Sequence, residues 1–429
     1  MRNSKILTAA ISMALWGGAA QAAPDLSDIF QVHAYGTLGV VHSNQDQADY
    51  VSSSSQQPQG AGYTHSWAAD VDSKAAVQLD AKITDRLSAV VQLISENDDN
   101  SSWTGKANPR YRPSLEWANV KYNITDEWTV RVGRMVLPIN MLSEYRNVGY
   151  SLPFIRGPIE VYGPVPFTNI DGGEVSFAKH FGEITNTVIG GAGDTSTRAL
   201  EGAIQSNLFF ISDTIESGAL TVKATFLHNP FRAPGGFGTL FTGFGDAAAS
   251  VPGGSNAAST AYYLDSRYNF EHWGNIEHWN VGASYDPGNW FVMSEIHRVQ
   301  NRGVVGISNA GFVTAGYRTH GLTPYATYAR VKSQHDAAPV IALGGLPAPL
   351  AAYGAVVNGV VEGLNSASTS QRTLSAGLRW DFMKNFDLKV QYDYVRLDAG
   401  STGLFGNEQP GFRPGSTASV FSAAVDFVF

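Results

Sequence analysis

The chain has 429 residues, with 45 glycines, 19 prolines, no cysteine, and 22 Phe, 18 Tyr and 9 Trp. Charged residues make up only 15%, below the roughly 25% of an ordinary soluble domain, and mean hydropathy is −0.12. These values exclude a disordered chain, a disulfide scaffold, a thiolate metal site and a cysteine nucleophile, and a net charge of −8 without blocks of like sign argues against a nucleic-acid binder.

At the N-terminus, Arg2 and Lys5 precede an apolar stretch from Ile6 to Trp16, and Ala20-Gln21-Ala22 forms an A-x-A cleavage site. The pattern predicts a secretory signal peptide over residues 1–22 and a single domain over 23–429. Loss of the two basic residues takes the formal charge from −8 to −10.

From Phe30 onward the period is two, the mark of half-exposed strands. Ala75, Val77, Leu79, Ala81 and Ile83 alternate with Lys74, Gln78, Asp80 and Lys82. The pattern resumes in Leu87, Ala89, Val91 and Leu93, then in Ala118, Val120, Tyr122 and Ile124 against Asn119 and Lys121. Trp128, Val130 and Val132 alternate with Thr129 and Arg131; farther on, Leu374 to Trp380 and Leu388 to Tyr394 repeat it. Short turns are expected near 84–86, 125–127, 180–183, 213–218, 286–289, 320–322 and 382–386. They take turns with mostly longer connections near 44–70, 97–113, 137–168, 193–199, 228–275, 299–308, 333–369 and 396–417. Together these join sixteen strands. The glycine-rich stretch 228–260 reads as mobile. The apolar stretch 337–361, broken by Pro339, Pro347 and Pro349, reads as a loop with at most a short helix, not as a spanning helix.

Short turns at one rim and long loops at the other describe a membrane barrel. Aromatics bracket the short turns on the apolar face: Tyr122 and Trp128, Tyr285 and Trp290, Trp380 and Phe386. Such rings suit the membrane–water boundary. The chain also stops on a strand, with Phe421, Ala423, Val425, Phe427 and Phe429 on one face. Sealing that strand against the first one removes both sheet edges, as hydrocarbon requires. The expected fold is therefore all-β: a transmembrane antiparallel β-barrel of about sixteen strands, with short periplasmic turns and long extracellular loops.

A terminal strand ending in Phe429, together with the signal peptide, is similar to outer-membrane proteins of Gram-negative bacteria. The strand count and long third loop resemble the trimeric porins, as do Val120-Lys121-Tyr122-Asn123, Val130-Arg131-Val132-Gly133-Arg134 and Gly377-Leu378-Arg379-Trp380-Asp381-Phe382. The resemblance implies location in the cell outer membrane and contact with outer-membrane lipid and lipopolysaccharide. It also implies a homotrimer, recognition of Phe429 by the barrel-insertion machinery, passive diffusion of small hydrophilic solutes and ions, and neither cofactor nor metal. The third loop lacks the Pro-Glu-Phe-Gly-Gly-type signature of enterobacterial general porins, so their constriction residues are not transferred.

Function in such a barrel lives at its narrowest cross-section. The connection 137–168, rich in proline and apolar residues, is the candidate for an inward-folded constriction loop, with Glu144, Arg146, Arg156 and Glu160 as its charges. Lys121 and Arg131 are the candidate facing residues on the wall. Lys74, Asp80, Lys82, Arg379, Lys389 and Asp393 fall on the lumen phase of their strands. Opposed walls of charge orient dipolar solutes, and the basic excess on the strands points to a weak anion preference. A channel specific for sugars, phosphate or organic acids is the alternative, with Tyr145, Tyr150, Phe154 and Tyr162 either as stacking surfaces or as packing. A barrel enzyme and an adhesin are the more distant readings; no compact Ser/His/Asp set accompanies His272, His278 and His297.

Overall fold

A computed structural model describes residues 29–429 except 55, 58, 98–110, 166, 200–201, 233–236, 270–274, 302–305, 335 and 367. The signal-peptide reading of residues 1–22 lies outside the described residues. Among those described, sixteen long strands form the wall. They are β1 (Phe30–Ser43), β2 (Lys74–Lys82), β3 (Leu87–Glu96), β4 (Ser114–Asn123), β5 (Trp128–Val136), β6 (Asn169–Phe181), β7 (Ile184–Ala199) and β8 (Gly202–Ser217). The second half comprises β9 (Leu220–Arg232), β10 (Asn275–Tyr285), β11 (Trp290–Gln300), β12 (Ile307–Tyr317), β13 (Leu322–Gln334), β14 (Gln371–Met383), β15 (Phe386–Leu397) and β16 (Thr417–Val428).

Every strand pairs antiparallel with its neighbour in sequence, and β16 returns to β1 in the register Gly36↔Phe427, Val41↔Ser422. No sheet edge is left open: every wall strand has a partner strand on both sides. The wall is an alternation made visible. On β15, Asp387, Lys389, Gln391, Asp393 and Val395 are buried inward, while Tyr392 and Tyr394 are exposed outward. Rings crowd the outer face at the short-turn rim: Trp128 packs tilted against Phe177 at 4.7 Å, Tyr285 tilted against Trp290 at 5.3 Å and Phe386 edge-on against Phe429 at 5.5 Å. From Phe386 up to Tyr394 is roughly 26 Å of strand at about 3.3 Å per residue, enough to bracket an apolar band.

Two expectations about connections need correcting. Residues 193–199 are strand, because β7 and β8 form the tallest hairpin, sixteen residues on each side. Glycines 190, 191 and 193 weaken the alternation there, and the run of Thr and Ser looks like a loop in sequence. The long connections after β9 and β13 are also not featureless. They carry α2 (Gly238–Ala249), α3 (Ser255–Tyr268) and α4 (Ala348–Ser366), with α1 (Ile159–Tyr162) lying in the third long loop. Alanine-rich stretches favour helix. Pro339 and Pro347 precede α4, and Pro349 sits in its first turn, where no N–H is needed. Phe241, Phe244, Leu264, Ile341, Val357 and Val361 form a separate small core among α2, α3 and α4 at the long-loop end. Among the described residues no helix is long and apolar enough to cross a membrane.

Candidate functional site

The third long loop, 137–168, folds into the barrel and lies against the inside of the wall. Its Leu142, Leu152, Phe154, Ile159 and Val161 share one buried core with Phe291, Phe312, Tyr325, Val331 and Val395 of β11–β15. Polar ties hold the rest. Tyr162 donates its hydroxyl proton to Glu295 on β11, which also accepts from Asn280 Nδ2 at 2.6 Å and from the Met141 N–H at 3.3 Å. Lys223 on β9 donates to the Asn140 carbonyl at 3.2 Å. Arg379 donates to the carbonyls of Tyr150 and Leu152 at 2.6 and 3.0 Å, and Lys389 to the Gly149 carbonyl at 2.6 Å and to Asp426 at 2.8 Å. Contact is so close at Gly149 that a Cβ there would lie 2.0 Å from Asp426 Oδ1.

This docking decides the surroundings of each charged residue named from sequence. Arg156 is turned into the wall: its Nε donates to Asp72 at 2.7 Å, Nη2 to Ser422 at 2.7 Å, and Asp393 lies 3.5 Å from Nη1. Glu160 is 1% exposed and accepts from Gln371 at 2.8 Å and from Thr373. The gap beside Glu160 is about 20 Å³, while Arg156 also borders a space of about 100 Å³. Lys389 and Asp393, at 0% and 1% exposure, are inward but lie beneath the loop rather than in water, and Arg379 caps loop carbonyls. A burial of this kind needs near-complete pairing to be tolerated.

The opposite side of the lumen is open. A cavity of about 650 Å³ lies between the β2–β5 wall and the loop's Glu144 and Tyr145. Cross-strand register sets its charges in one row: Lys82 opposite Ser88, Ser88 opposite Lys121, Lys121 opposite Arg131, and Arg131 opposite Glu174. Arg131 lies 3.3 Å from Glu174 and Lys82 3.2 Å from Asp85, while Asp80 accepts from Gln78 at 2.8 Å. Among the described residues Lys121 and Glu144 form no close ion pair; both line the cavity, Lys121 within the field of Glu174 and Glu144 within that of Lys223. Lys74 lines a second space of about 100 Å³ on the long-loop side, together with Glu96, Arg146 and Asn147. The turn 144–147 separates the two spaces.

Glu116 was not legible from sequence, yet it holds that turn. It accepts from Asn147 at 3.4 Å and from Asn169 at 3.5 Å, and Arg146 lies 3.5 Å away. Plain alternation from Ala118 sends Glu116 outward. A β-bulge opposite Gln92 and Leu93 inserts a residue and turns Glu116 inward beside Trp117. On the next strand Gly133 adopts φ +125°, and a Cβ there would lie 2.3 Å from the Ala118 carbonyl oxygen. Glu295, Asp72 and Asp426 were also missed, although each sits on the inward phase of its segment or accepts from the loop. Of the aromatic candidates, Phe154 packs edge-on against Tyr325 at 6.4 Å, Tyr162 against Phe312 at 6.3 Å, and Tyr150 lies under Arg379 at 4.9 Å. Only Tyr145 of these four lines the large cavity, with Trp117 across from the loop. His278 and His297 lie buried in the wall with rings 5.1 Å apart, and His272 lies outside the described residues.

No protein-family model matches the chain, and no curated protein matches it in sequence. Its structure is similar to the anion-selective porin from Comamonas acidovorans, with a TM-score of 0.51 and 12% identity over 93% of this chain and 100% of that chain. It is similar to Salmonella typhi OmpF in complex with daunomycin, with a TM-score of 0.51 and 11% identity over 93% and 97% of the two chains. The outer membrane channel DcaP of Acinetobacter baumannii gives 0.50 and 11% over 97% and 100%. At these identities the likeness is one of fold. The chain is a closed sixteen-stranded antiparallel barrel and carries the fold of the outer-membrane porins.

Proposed function

We propose that the protein is an outer-membrane porin: a homotrimeric, water-filled channel for passive diffusion of small hydrophilic solutes and ions, with a preference for anions. The observation that carries this reading is the open cavity of about 650 Å³ between the inward-folded loop and a wall bearing Lys82, Lys121 and Arg131. Glu144 stands on the loop side, so the field runs across the path, and in a narrow low-dielectric passage such fields act strongly on charged and dipolar solutes. On this reading the short turns face the periplasm, the long loops face outward, residues 1–22 direct export, and Phe429 serves the insertion machinery.

Planar-bilayer recording of the pure, folded protein tests it. Stepwise conductance, in groups of three for a trimer, is expected; absence of any conductance overturns the reading. In a salt gradient, replacing Lys121 and Arg131 by alanine should move the reversal potential toward cation selectivity. An unchanged potential removes both residues from the constriction. A substrate-specific channel is the second reading, favoured by the Trp117 and Tyr145 rings beside the basic row. It predicts that one class among sugars, phosphate and organic acids blocks the current at far lower concentration than the others.

A further inference from the structure

Toward the long loops, beyond the turn 144–147, the space inside the barrel narrows from about 650 Å³ to about 100 Å³. One side of the smaller space belongs to the first long loop, which joins β1 to β2 and also folds inward. Its Asp49–Tyr50 and Ala61–Gly62 pair antiparallel. Ala48, Tyr50 and Ala61 enter the same buried core as Leu142, Phe154 and Val161 of the third loop. The last long loop locks them there. Asp49 and Gly406 exchange backbone hydrogen bonds at 2.8 and 2.9 Å, and fully buried Asp49 accepts from the Thr64 N–H at 2.8 Å and from Asn407 Nδ2 at 2.9 Å. The Ser54 N–H donates to the Gly163 carbonyl at 3.1 Å, so the first and third loops are joined directly.

The lining of this space differs in kind from that of the large cavity. Ser52, Ser53, Gln56 and Gln57 of the first loop border it together with Asn97 and Asn147. Gln57 is itself fixed: it accepts from the Ser52 N–H at 2.9 Å and donates to the Val71 carbonyl at 3.0 Å. Each basic side chain here stands against a carboxylate. Arg156 donates to Asp72 at 2.7 Å, Arg146 lies 3.5 Å from Glu116, and Lys74 is directly opposite Glu96. Asn97 is 4% exposed and borders the space, and its Oδ1 has no hydrogen-bond partner among the described residues. A buried amide oxygen without a donor is costly, and a hydroxyl passing through the space supplies one.

We propose that the first and third loops together form a charge-balanced, hydrogen-bonding neck that sets the size limit of the passage and favours small polyhydroxylated solutes. Sorting by charge is left to the cavity around Lys121. This rests on the porin reading. In so narrow a space a solute gives up much of its water, and amide and hydroxyl groups of the wall replace it. Paired charges add little net field for either sign of ion. Gln56 is the side chain whose size sets the width. It is half-buried, borders the neck, and among the described residues its side chain makes one long contact, to Ser53 Oγ at 3.5 Å. Its replacement therefore spares the ties that hold the loop.

The test places the full-length barrel in liposomes and planar bilayers and measures size by swelling in glycerol, a pentose, a hexose and a disaccharide. Gln56→Trp is expected to lower the swelling rate in hexose about tenfold, and Gln56→Ala to raise that in disaccharide. Misfolding cannot move the two in opposite directions. Neither variant should shift the reversal potential in a salt gradient, whereas Lys121→Met should shift it and leave the swelling series in place. Asn97→Leu, which removes the acceptor at similar volume, should slow the pentose about fivefold while conductance in potassium chloride holds. A swelling series unmoved by the Gln56 variants overturns the neck and leaves the porin reading standing. So does a reversal potential shifted by them as far as by Lys121→Met, and so does unchanged pentose flux in Asn97→Leu. A wild-type barrel that neither swells liposomes nor conducts overturns the porin reading, and the neck with it.

Discussion

Lys121 on β4 and Lys389 on β15 occupy equivalent places in the wall: each points inward and is flanked by outward apolar neighbours. Their surroundings are opposite. Lys121 is half-buried and lines the open cavity without an ion pair, whereas Lys389 is 0% exposed, lies between Asp387 and Asp426, and donates to a loop carbonyl. The loop 137–168 makes the difference, because it leans on β9–β16 and, among the described residues, touches β2–β4 only through its 146–148 turn, leaving the wall around Lys82, Lys121 and Arg131 open. Alternation tells which way a side chain points; only the position of the loop tells whether it meets water or protein.

The sharpest way to break this contrast is to neutralise each lysine in turn. Lys389→Met leaves buried Asp426 without its cation and Asp387 with Arg379 alone, which costs about 3–5 kcal/mol, whereas Lys121→Met should alter stability by less than about 0.5 kcal/mol. Heat- or denaturant-induced unfolding in detergent measures both, and equal effects would dissolve the distinction between the halves. A middle-sized effect is expected from Tyr162→Phe, which deprives buried Glu295 of one donor and should cost about 1–3 kcal/mol. That variant should also raise current noise as the loop loosens. A tie outside the lumen gives the smallest effect. Arg318 donates to Asp286 at 2.6 and 2.7 Å at the short-turn rim. This hydrogen bonding holds the Asp286 carboxyl below its ordinary value. The pair therefore contributes fully above about pH 4 and fades as pH falls through the depressed value. At that exposed position Asp286→Asn should cost no more than about 1 kcal/mol, and pH-dependent melting of the variant should lose only this acid-side slope.

Much of the wall was legible in sequence because a lipid-facing barrel imposes one rule at every second residue. The turns at 286–289 and after Thr84, and the inward phase of Lys74, Asp80, Lys82, Lys121, Arg131, Arg379, Lys389 and Asp393, follow from that rule alone. It fails where backbone geometry departs from period two. The bulge before Trp117 reverses Glu116, and glycines hide the upper part of β7. Loop contacts are a different kind of information. Nothing local to Arg156 or Glu160 shows that Asp72, Ser422, Gln371 and Thr373 will surround them, since those partners come from distant segments.

That distance has a consequence for how the molecule is assembled. The contacts near the loop's tip join residues 240 apart for Gly149 and Lys389, 266 for Arg156 and Ser422, and 211 for Glu160 and Gln371. Contacts between such remote segments form late, because chain closure must come first. The loop is translated well before β14–β16, yet its seat is built from them. The loop's full seat therefore exists only once the last strands are paired, so the step that seals the wall also completes the calibre of the passage.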